Sequence, residues 1–440
     1  MDSKQIELAR KFDLTNHFFD FVDRHLMYPL LDNLVTIYDV KEVDNLQFNV
    51  LKDTYMTKEL KELYLSINPN EKDLPTEYLN RENDIINELV PLNESTKETL
   101  NILCSKEIQT NLKQNKIENR ELIKTRGIDD DKILELYKFG KLQYNRGDYV
   151  MASDLLNNFK LLSINQDLIL KATCGKFISD ILSGDIEEAK NEMINLRDVI
   201  DNRNYQGSSI DQLKLRNWLI HNSLFIFFNE NDLKKQSING NINLQLLNMN
   251  EIFLSSSYIS TIEASCPWIL RYIISSVLYT KDFKRLKDII KAVEIENYEY
   301  NDPFTNLIQN LFIDFKFNKL NEILNNIEIL IEIDFFINHL SKDEFINNII
   351  ELIIRSVLKI YKKLSINQLF KFVESNLCDL NKLNEIINKS NELKINVENN
   401  IVSLNDDENI NNPYFTVYEK TKALSFKSNQ FLNNASINSI

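Results

Sequence analysis

Residues 147–152 read Gly-Asp-Tyr-Val-Met-Ala, and residues 184–189 repeat this pattern as Gly-Asp-Ile-Glu-Glu-Ala. The two stretches start 37 residues apart, and each lies between segments whose apolar residues recur at helical spacing. Glycine supplies a tight turn between two helices, and the alanine lets the helices approach closely. Such a turn is typical of tetratricopeptide-like helix pairs. It predicts a helical-repeat solenoid whose units bury their apolar faces against their neighbours.

Weaker versions of the same turn occur farther along the chain. Asp282-Phe283 is followed by Leu286, and Phe315-Lys316-Phe317 is followed by Leu320. The repeating pattern becomes clear near residue 126 and continues to about residue 342. We therefore predict that the solenoid spans residues 126–342.

The composition agrees with a mainly α fold. The chain has 440 residues, of which 43% are hydrophobic, but it contains only 7 glycines and 7 prolines. Average usage would give roughly 30 glycines and 20 prolines. Sandwiches, barrels and doubly wound sheets need turn residues at each connection, so this scarcity argues against those folds.

The last third of the chain predicts a different domain. Three helical patterns follow one another from residue 343, the second of them short. Alternating stretches then occur at residues 393–397 and 401–404. Alternation on both sides of a short turn predicts a β-hairpin. Three helices and a hairpin make a winged helix, which we place at residues 343–405.

The two ends of the chain complete the predicted organisation. Residues 1–125 form an N-terminal helical region, in which Pro29, Pro69, Pro75 and Pro91 are expected to interrupt helices. Residues 406–440 form a linker and a C-terminal amphipathic helix. The Asn-rich stretch at 229–250 is expected to be a loop.

We find no catalytic motif in the sequence. A Gly-rich phosphate loop, a His-Glu-x-x-His motif and a Gly-x-Ser-x-Gly motif are all missing. His25 and His221 are better explained as packed or capping residues of the core than as a general base or a metal ligand. We therefore expect no enzymatic activity, no cofactor and no metal site.

Cysteine spacing and hydropathy predict a cytoplasmic protein. The four cysteines, Cys104, Cys174, Cys266 and Cys378, have neither metal-ligand nor redox-motif spacing, so reduced buried thiols are expected. We find no uncharged apolar run approaching about 18 residues, and the charged N-terminus does not resemble a secretion signal.

Two interpretations of the wing remain open. Nucleic-acid binding has a precedent in helix-turn-helix domains, but residues 379–404 carry nearly equal numbers of acidic and basic side chains. The net charge of −14 also argues against nucleic acid as the main ligand. The favoured alternative is that an exposed edge of the hairpin, at residues 393–397 or 401–404, pairs with a strand of another protein. The predicted protein-interface residues are Leu393, Ile395, Val397, Ile401 and Leu404 in the wing and Val417, Tyr418 and Leu424 in the tail.

Several segments, in order along the chain, resemble a family of eukaryotic translation initiation factor 3 subunits, the E subunits, which are of the PCI-domain class. They are FDLT at 12–15, DRHL at 23–26, PLL at 29–31, YKFGKLQYNRGDY at 137–149, WLIH at 218–221, FFN at 227–229, CP at 266–267, ILRY at 269–272, Tyr300, DP at 302–303, DFF at 334–336, SIN at 365–367 and EKTKALSF at 419–426. We find little similarity at 41–125 beyond helical character, and the 229–250 stretch looks longer than that of the family.

The resemblance implies a non-catalytic scaffold subunit of a large cytoplasmic complex that binds the small ribosomal subunit and helps recruit mRNA. It implies partners among the other subunits, through winged-helix pairing and a helix bundle, with mRNA contact indirect and no membrane contact. The alternatives are a scaffold subunit of the proteasome lid or the signalosome, or a nucleic-acid-binding winged-helix protein.

Overall fold

The structure is a computed structural model, and it confirms a mainly α chain. It describes residues 3–69, 75–103, 116–202, 207–229, 233, 244–374, 379–389, 393–396, 401–404, 417, 420–422, 424–425 and 427–428. The chain divides into two compact units. The first comprises residues 1–305 and 327–342, and the second comprises residues 306–326 and 343–440.

Helices up to residue 308 are Ser3–Lys11, Thr15–Phe18, Arg24–Asn33, Val40–Leu51, Thr57–Ile67, Thr76–Leu103, Lys116–Lys124, Asp130–Arg146, Tyr149–Leu162, Gln166–Ser183, Ile186–Asp201, Ser209–Phe227, Leu244–Phe253, Ser256–Ser265, Leu270–Thr280, Leu286–Glu296 and Pro303–Ile308. Later helices are Leu320–Ile333, Lys342–Tyr361, Ile366–Val373 and Leu380–Lys389, with a π-helical turn at Gln309–Ile313. The strands are β1 (Lys363–Ser365), β2 (Leu393–Asn396) and β3 (Ile401–Leu404).

The two glycine turns have the same backbone geometry. Gly147 has a φ of 94° and Gly184 a φ of 84°, and each ends one helix just before the next begins. Ala152 and Ala189 are fully buried in the second helix of each pair. The helix–turn–helix predicted at both positions is confirmed, whereas the full solenoid and the division into four segments stay predictions.

The two weaker turns have the same left-handed residue without glycine. Lys281, which precedes Asp282, has a φ of 56°, and Phe315 has a φ of 54°. All four aligned turns therefore begin with a residue at positive φ, which costs a side-chain-bearing residue about 1 kcal/mol or more. The aligned positions therefore share this backbone geometry even where glycine is replaced.

Two prolines do not interrupt helices as predicted. Pro29 lies inside Arg24–Asn33, and Pro91 lies inside Thr76–Leu103. A proline removes one backbone hydrogen bond and bends a helix, but the remaining bonds and buried side chains can keep the helix continuous. In the helix Arg24–Asn33, Leu26, Leu30 and other apolar residues are buried on both sides of Pro29.

Candidate functional site

The three strands form a sheet in the order β1–β3–β2, with both pairings antiparallel. The hairpin register pairs Leu393 with Leu404 and Ile395 with Val402, which confirms the predicted hairpin. On its other side β3 pairs with β1, through Leu364 with Val402. Ile401–Leu404 is therefore paired on both sides, and the prediction that it could present a free edge is wrong.

Local sequence explains why the third strand forms beside β3. Lys362, with a φ of 66°, ends the long helix Lys342–Tyr361 and turns the chain into β1. Ser365 then begins the next helix with a capping box, in which its hydroxyl accepts from the backbone N–H of Gln368. A strand of three residues is too short for alternation to be recognised, so sequence reasoning missed it.

Buried aliphatic side chains occur both on the sheet and on the two short helices of this unit. Val402 on β3 is fully buried, as are Leu369 and Val373 in one helix and Leu383 and Ile387 in the next. The side chain of Ile401 is only partly buried. The central strand therefore contributes to the core of this unit.

β2 is left as the candidate interface strand of the hairpin. Its backbone pairs with β3 on one side, and no other strand within the described residues pairs with it. Leu393 and Ile395 lie on this strand, whereas Val397 lies outside the described residues. A strand paired on one side presents free N–H and C=O groups to a partner.

The candidate residues of the tail lie on a helical segment. Val417 and Leu424 are 62% and 68% exposed, and the Thr421 hydroxyl donates to the carbonyl of Val417 over 2.7 Å. Tyr418 lies outside the described residues. Two exposed apolar side chains seven residues apart occupy one face of a helix, which we call the tail stripe.

His221 is a satisfied core histidine, as the sequence predicted. Nε1 of Trp268 donates to its Nε2 over 3.0 Å, and its Nδ1 donates to the carbonyl of Asn217 over 2.7 Å. Burial lowers the pKa of His221 to about 4. The ring is therefore neutral at pH 7 and cross-links two helical segments.

His25 has a packing role in a second polar network. Its Nδ1 lies 3.0 Å from the Tyr149 hydroxyl, and its backbone N–H donates to Asp23, which caps the helix. Asp23 also accepts from the Tyr144 hydroxyl, and its backbone N–H donates to Asn222. This network joins the N-terminal helices to three distant helices of the same unit.

Sequence reasoning assigned no role to a third network, around Arg271. This side chain is 2% exposed, and its guanidinium donates to Asp302 over 2.8 Å, to Asp334 over 3.1 Å and to the Phe12 carbonyl over 2.8 Å. Burial alone would lower the pKa of Arg271, but Tyr300 and the two carboxylates hold it well above its ordinary value. The sequence feature that could have predicted this network is the presence of charged residues within otherwise apolar motifs.

These three networks contain many of the residues on which the family resemblance rests. Arg271, Asp302 and Asp334 come from three of the matching segments, and Asp23 and Tyr144 come from two more. The motifs therefore meet in space as buried or partly buried cross-links of the first unit, which is a structural role.

Metal-ligating side chains and thiols among the described residues bear on the expectations of no metal site and of reduced thiols. No group of three or more His, Cys, Asp or Glu side chains among them could hold a metal ion. Cys174 and Cys266 are free, and burial raises the pKa of each thiol to about 12. Cys104 and Cys378 lie outside the described residues.

A bilayer span would need a long and almost uncharged apolar helix, and none of the helices in the described part of the chain qualifies.

Comparison with known proteins identifies the family. Residues 13–143 match a family model described as eIF3 subunit 6 N terminal domain. This match includes 41–125, so our expectation of little similarity there was wrong.

Relatives extend the match over nearly the whole chain. The E subunit of eukaryotic translation initiation factor 3 from Yarrowia lipolytica is 36% identical over 435 residues, which covers 96% of this chain and 99% of the relative. The E subunits of Aspergillus terreus and Aspergillus fumigatus are 32% and 31% identical, and each match covers 96% of this chain and 94% and 92% of the relative. The chain belongs to the family of E subunits of eukaryotic translation initiation factor 3.

Proposed function

We propose that this chain is a non-catalytic scaffold subunit of the translation initiation factor 3 complex. It would support binding of the small ribosomal subunit and recruitment of mRNA by holding neighbouring subunits in place. The proposal rests on family membership and on two surfaces of this chain, the strand β2 and the tail stripe. Neither surface has a partner among the described residues. The relatives' names favour this complex over the proteasome lid or the signalosome.

The first surface would pair with a strand of another subunit. Backbone pairing along β2 would extend the sheet, as in other cases of strand addition. The residues assigned to this contact are Leu393, Ile395 and, outside the described part, Val397. The predicted repeats would present the rest of the chain to further subunits.

The second surface would join a bundle of helices from other subunits. Val417 and Leu424 each expose most of their side chains to water, and burial of such aliphatic side chains gives about 1.5–3 kcal/mol each. A helix with one apolar stripe becomes stable by packing against other helices. Tyr418 would extend the same stripe.

Affinity purification from the native cell tests the proposal as a whole. We expect the other subunits of initiation factor 3 and the proteins of the small ribosomal subunit to co-purify with this chain. Recovery of the chain without any initiation-factor subunit would refute the assignment, and recovery with proteasome or signalosome subunits would favour the alternative.

Substitution of the tail tests the second surface. Val417→Asp, Tyr418→Asp and Leu424→Asp together should release the chain from its complex, because they place three charges on the stripe. The matched control is Lys420→Gln, Lys422→Gln and Lys427→Gln, which lowers the net charge by the same amount but keeps the apolar side chains of the stripe. Equal co-purification of both variants with the complex would contradict a partner contact there.

Photo-crosslinking tests the first surface. A photoreactive amino acid at Lys394 on β2 should crosslink to another subunit, and the same amino acid at Lys363 on β1, the opposite edge of the sheet, serves as the control. A crosslink from residue 363 without one from residue 394 would show that the wrong edge was assigned.

A further inference from the structure

Six exposed lysines lie next to three packed aromatic residues along the chain in the second unit. Phe317 lies 6.0 Å from Phe372 and 6.2 Å from Tyr361, measured between ring centroids, and Tyr361 and Phe372 stack at 6.3 Å. The Asn321 side chain donates to the carbonyl of Lys371 over 3.0 Å. These contacts bring together three segments of the second unit.

The lysines lie within two residues of these rings along the chain, so their Cα atoms are at most about 8 Å from those of the aromatic residues. All six are exposed. We define the basic–aromatic patch as these lysines together with two half-exposed aromatic residues: Lys316, Lys319, Lys359, Lys362, Lys363, Lys371, Phe315 and Tyr361.

The patch has an excess of positive charge in an acidic protein. Lys316 pairs with Asp314 over 3.0 Å, but none of the other five lysines has an ion-pair partner within the described residues. The acidic side chains on the same segments are Asp314, Glu322 and Glu374, so the patch has six lysines beside three carboxylates along the chain. The chain as a whole carries −14, and the positive charge here is therefore a local feature.

Two aromatic residues of the patch are half-exposed. Tyr361 is 50% exposed and Phe315 is 53% exposed. Phe315 also occupies the left-handed position at which the turns at Gly147 and Gly184 carry glycine. Backbone N–H groups on both sides of it hold this turn, since Asp314 donates to Gln309 and Lys316 to Asn310. Strained backbone positions cluster at binding sites, so Phe315, with its half-exposed ring, is a candidate contact residue.

We propose that the basic–aromatic patch binds single-stranded RNA. Lysines attract the phosphates, and exposed aromatic rings stack with unpaired bases, which is the combination that proteins use for single strands. An acidic protein would satisfy the lysines but would offer no bases to stack on Tyr361 and Phe315. The choice of RNA over DNA rests on the proposed function in translation. The patch differs from the near-neutral wing surface at 379–404.

Salt dependence of RNA binding by the full-length chain tests the role of the lysines. The probe is an unstructured 20-nucleotide RNA, and the variant is Lys362→Gln, Lys363→Gln and Lys371→Gln. Each phosphate contact on a single strand contributes about 0.7 to the slope of log K against log salt, so the slope should become shallower by about two. The matched control, Lys284→Gln, Lys287→Gln and Lys291→Gln, removes three exposed lysines of the first unit and should keep the wild-type slope.

A second variant separates stacking from charge. Tyr361→Leu keeps an apolar side chain against Phe317 and Phe372 but removes the aromatic ring. RNA affinity should fall about tenfold with an unchanged salt slope, because stacking is independent of counterion release. Phe315→Gly should weaken RNA binding similarly. Because glycine relieves the left-handed strain at this position, the loss of RNA affinity should not be accompanied by a loss of stability.

Several results would overturn the proposal. They are an undetectable affinity of the wild-type chain at 50 mM salt, equal slopes for both lysine variants, or competition by polyglutamate as strong as that by RNA of equal charge. Co-purification with the complex should be the same for all these variants, so a failure here is distinct from a failure of the scaffold proposal.

The source of the RNA is distinguished in the purified complex. A photoreactive amino acid at residue 361, followed by sequencing of the attached RNA, separates messenger from ribosomal RNA. Crosslinking of either RNA to residue 361 supports the site. If residue 361 yields no more crosslinked RNA than a photoreactive amino acid at residue 287, the proposal is refuted.

Discussion

Replacement of Arg271 by methionine is expected to destabilise the first unit by about 4 kcal/mol. The guanidinium holds Asp302, Asp334 and the carbonyl of Phe12 in a region where both carboxylates are almost inaccessible to water. Methionine fills a similar volume but leaves two buried negative charges without a cation. Removal of one partner from a buried ion pair costs about 3–5 kcal/mol, most of which reflects the charge left behind.

Two comparison variants isolate this cause. Arg271→Met combined with Asp302→Asn and Asp334→Asn removes the stranded charges and should recover more than half of the lost free energy of unfolding. Arg216→Met breaks the ion pair with Asp201, whose side chains are 18% and 29% exposed, and should cost about 1 kcal/mol or less.

Urea denaturation followed by tryptophan fluorescence suits this measurement. The chain has two tryptophans, Trp218 and Trp268, and both belong to the first unit, so the signal reports on that unit alone. A loss below about 1 kcal/mol for Arg271→Met, or a loss equal to that of Arg216→Met, would disprove the stranded-charge explanation. Such a result would mean that water or a neighbouring group reaches the carboxylates.

Two further predictions concern the turns and the histidine. Gly184→Ala should lower the free energy of unfolding by about 1 kcal/mol, because the φ of 84° strains alanine although no atom lies within 4 Å of the new Cβ. Thermal unfolding of this variant, with Ser183→Ala as the control, checks the prediction. An unchanged unfolding midpoint for Gly184→Ala would contradict it. His221 binds a proton in the unfolded chain near pH 6.5 but in the folded chain only near pH 4, so stability should fall by about 1.4 kcal/mol per pH unit as the pH drops between these values. His221→Gln should remove this part of the pH dependence in urea titrations at pH 4.5 and 6.5, and equal dependence in both proteins would contradict the assignment.

The candidate interface could be predicted from the sequence only in part. Alternation at 393–397 and 401–404 was sufficient to predict two strands and a hairpin, because alternation is a local property of each strand. It could not show which strand has a free edge. That depends on β1, which is three residues long and comes from a segment about 30 residues before the hairpin.

Local sequence was enough to predict the mainly α character, the glycine turns and the neutral core role of His221. These features follow from nearby residues: helical periodicity, the positive φ that glycine allows, and an apolar face around the ring. Even Phe315 at a turn position was visible in the alignment of the repeats, although its strain was not.

Contacts between distant segments could be read from the tertiary structure alone. It brought Arg271 against Phe12, Asp302 and Asp334, it gave β3 a partner on each side, and it gathered the lysines near Tyr361 into one patch. The physical reason is that buried charge pairing, strand order and surface charge density depend on which segments meet in space. Local sequence patterns specify the elements, whereas the packing of their apolar faces determines which elements become neighbours.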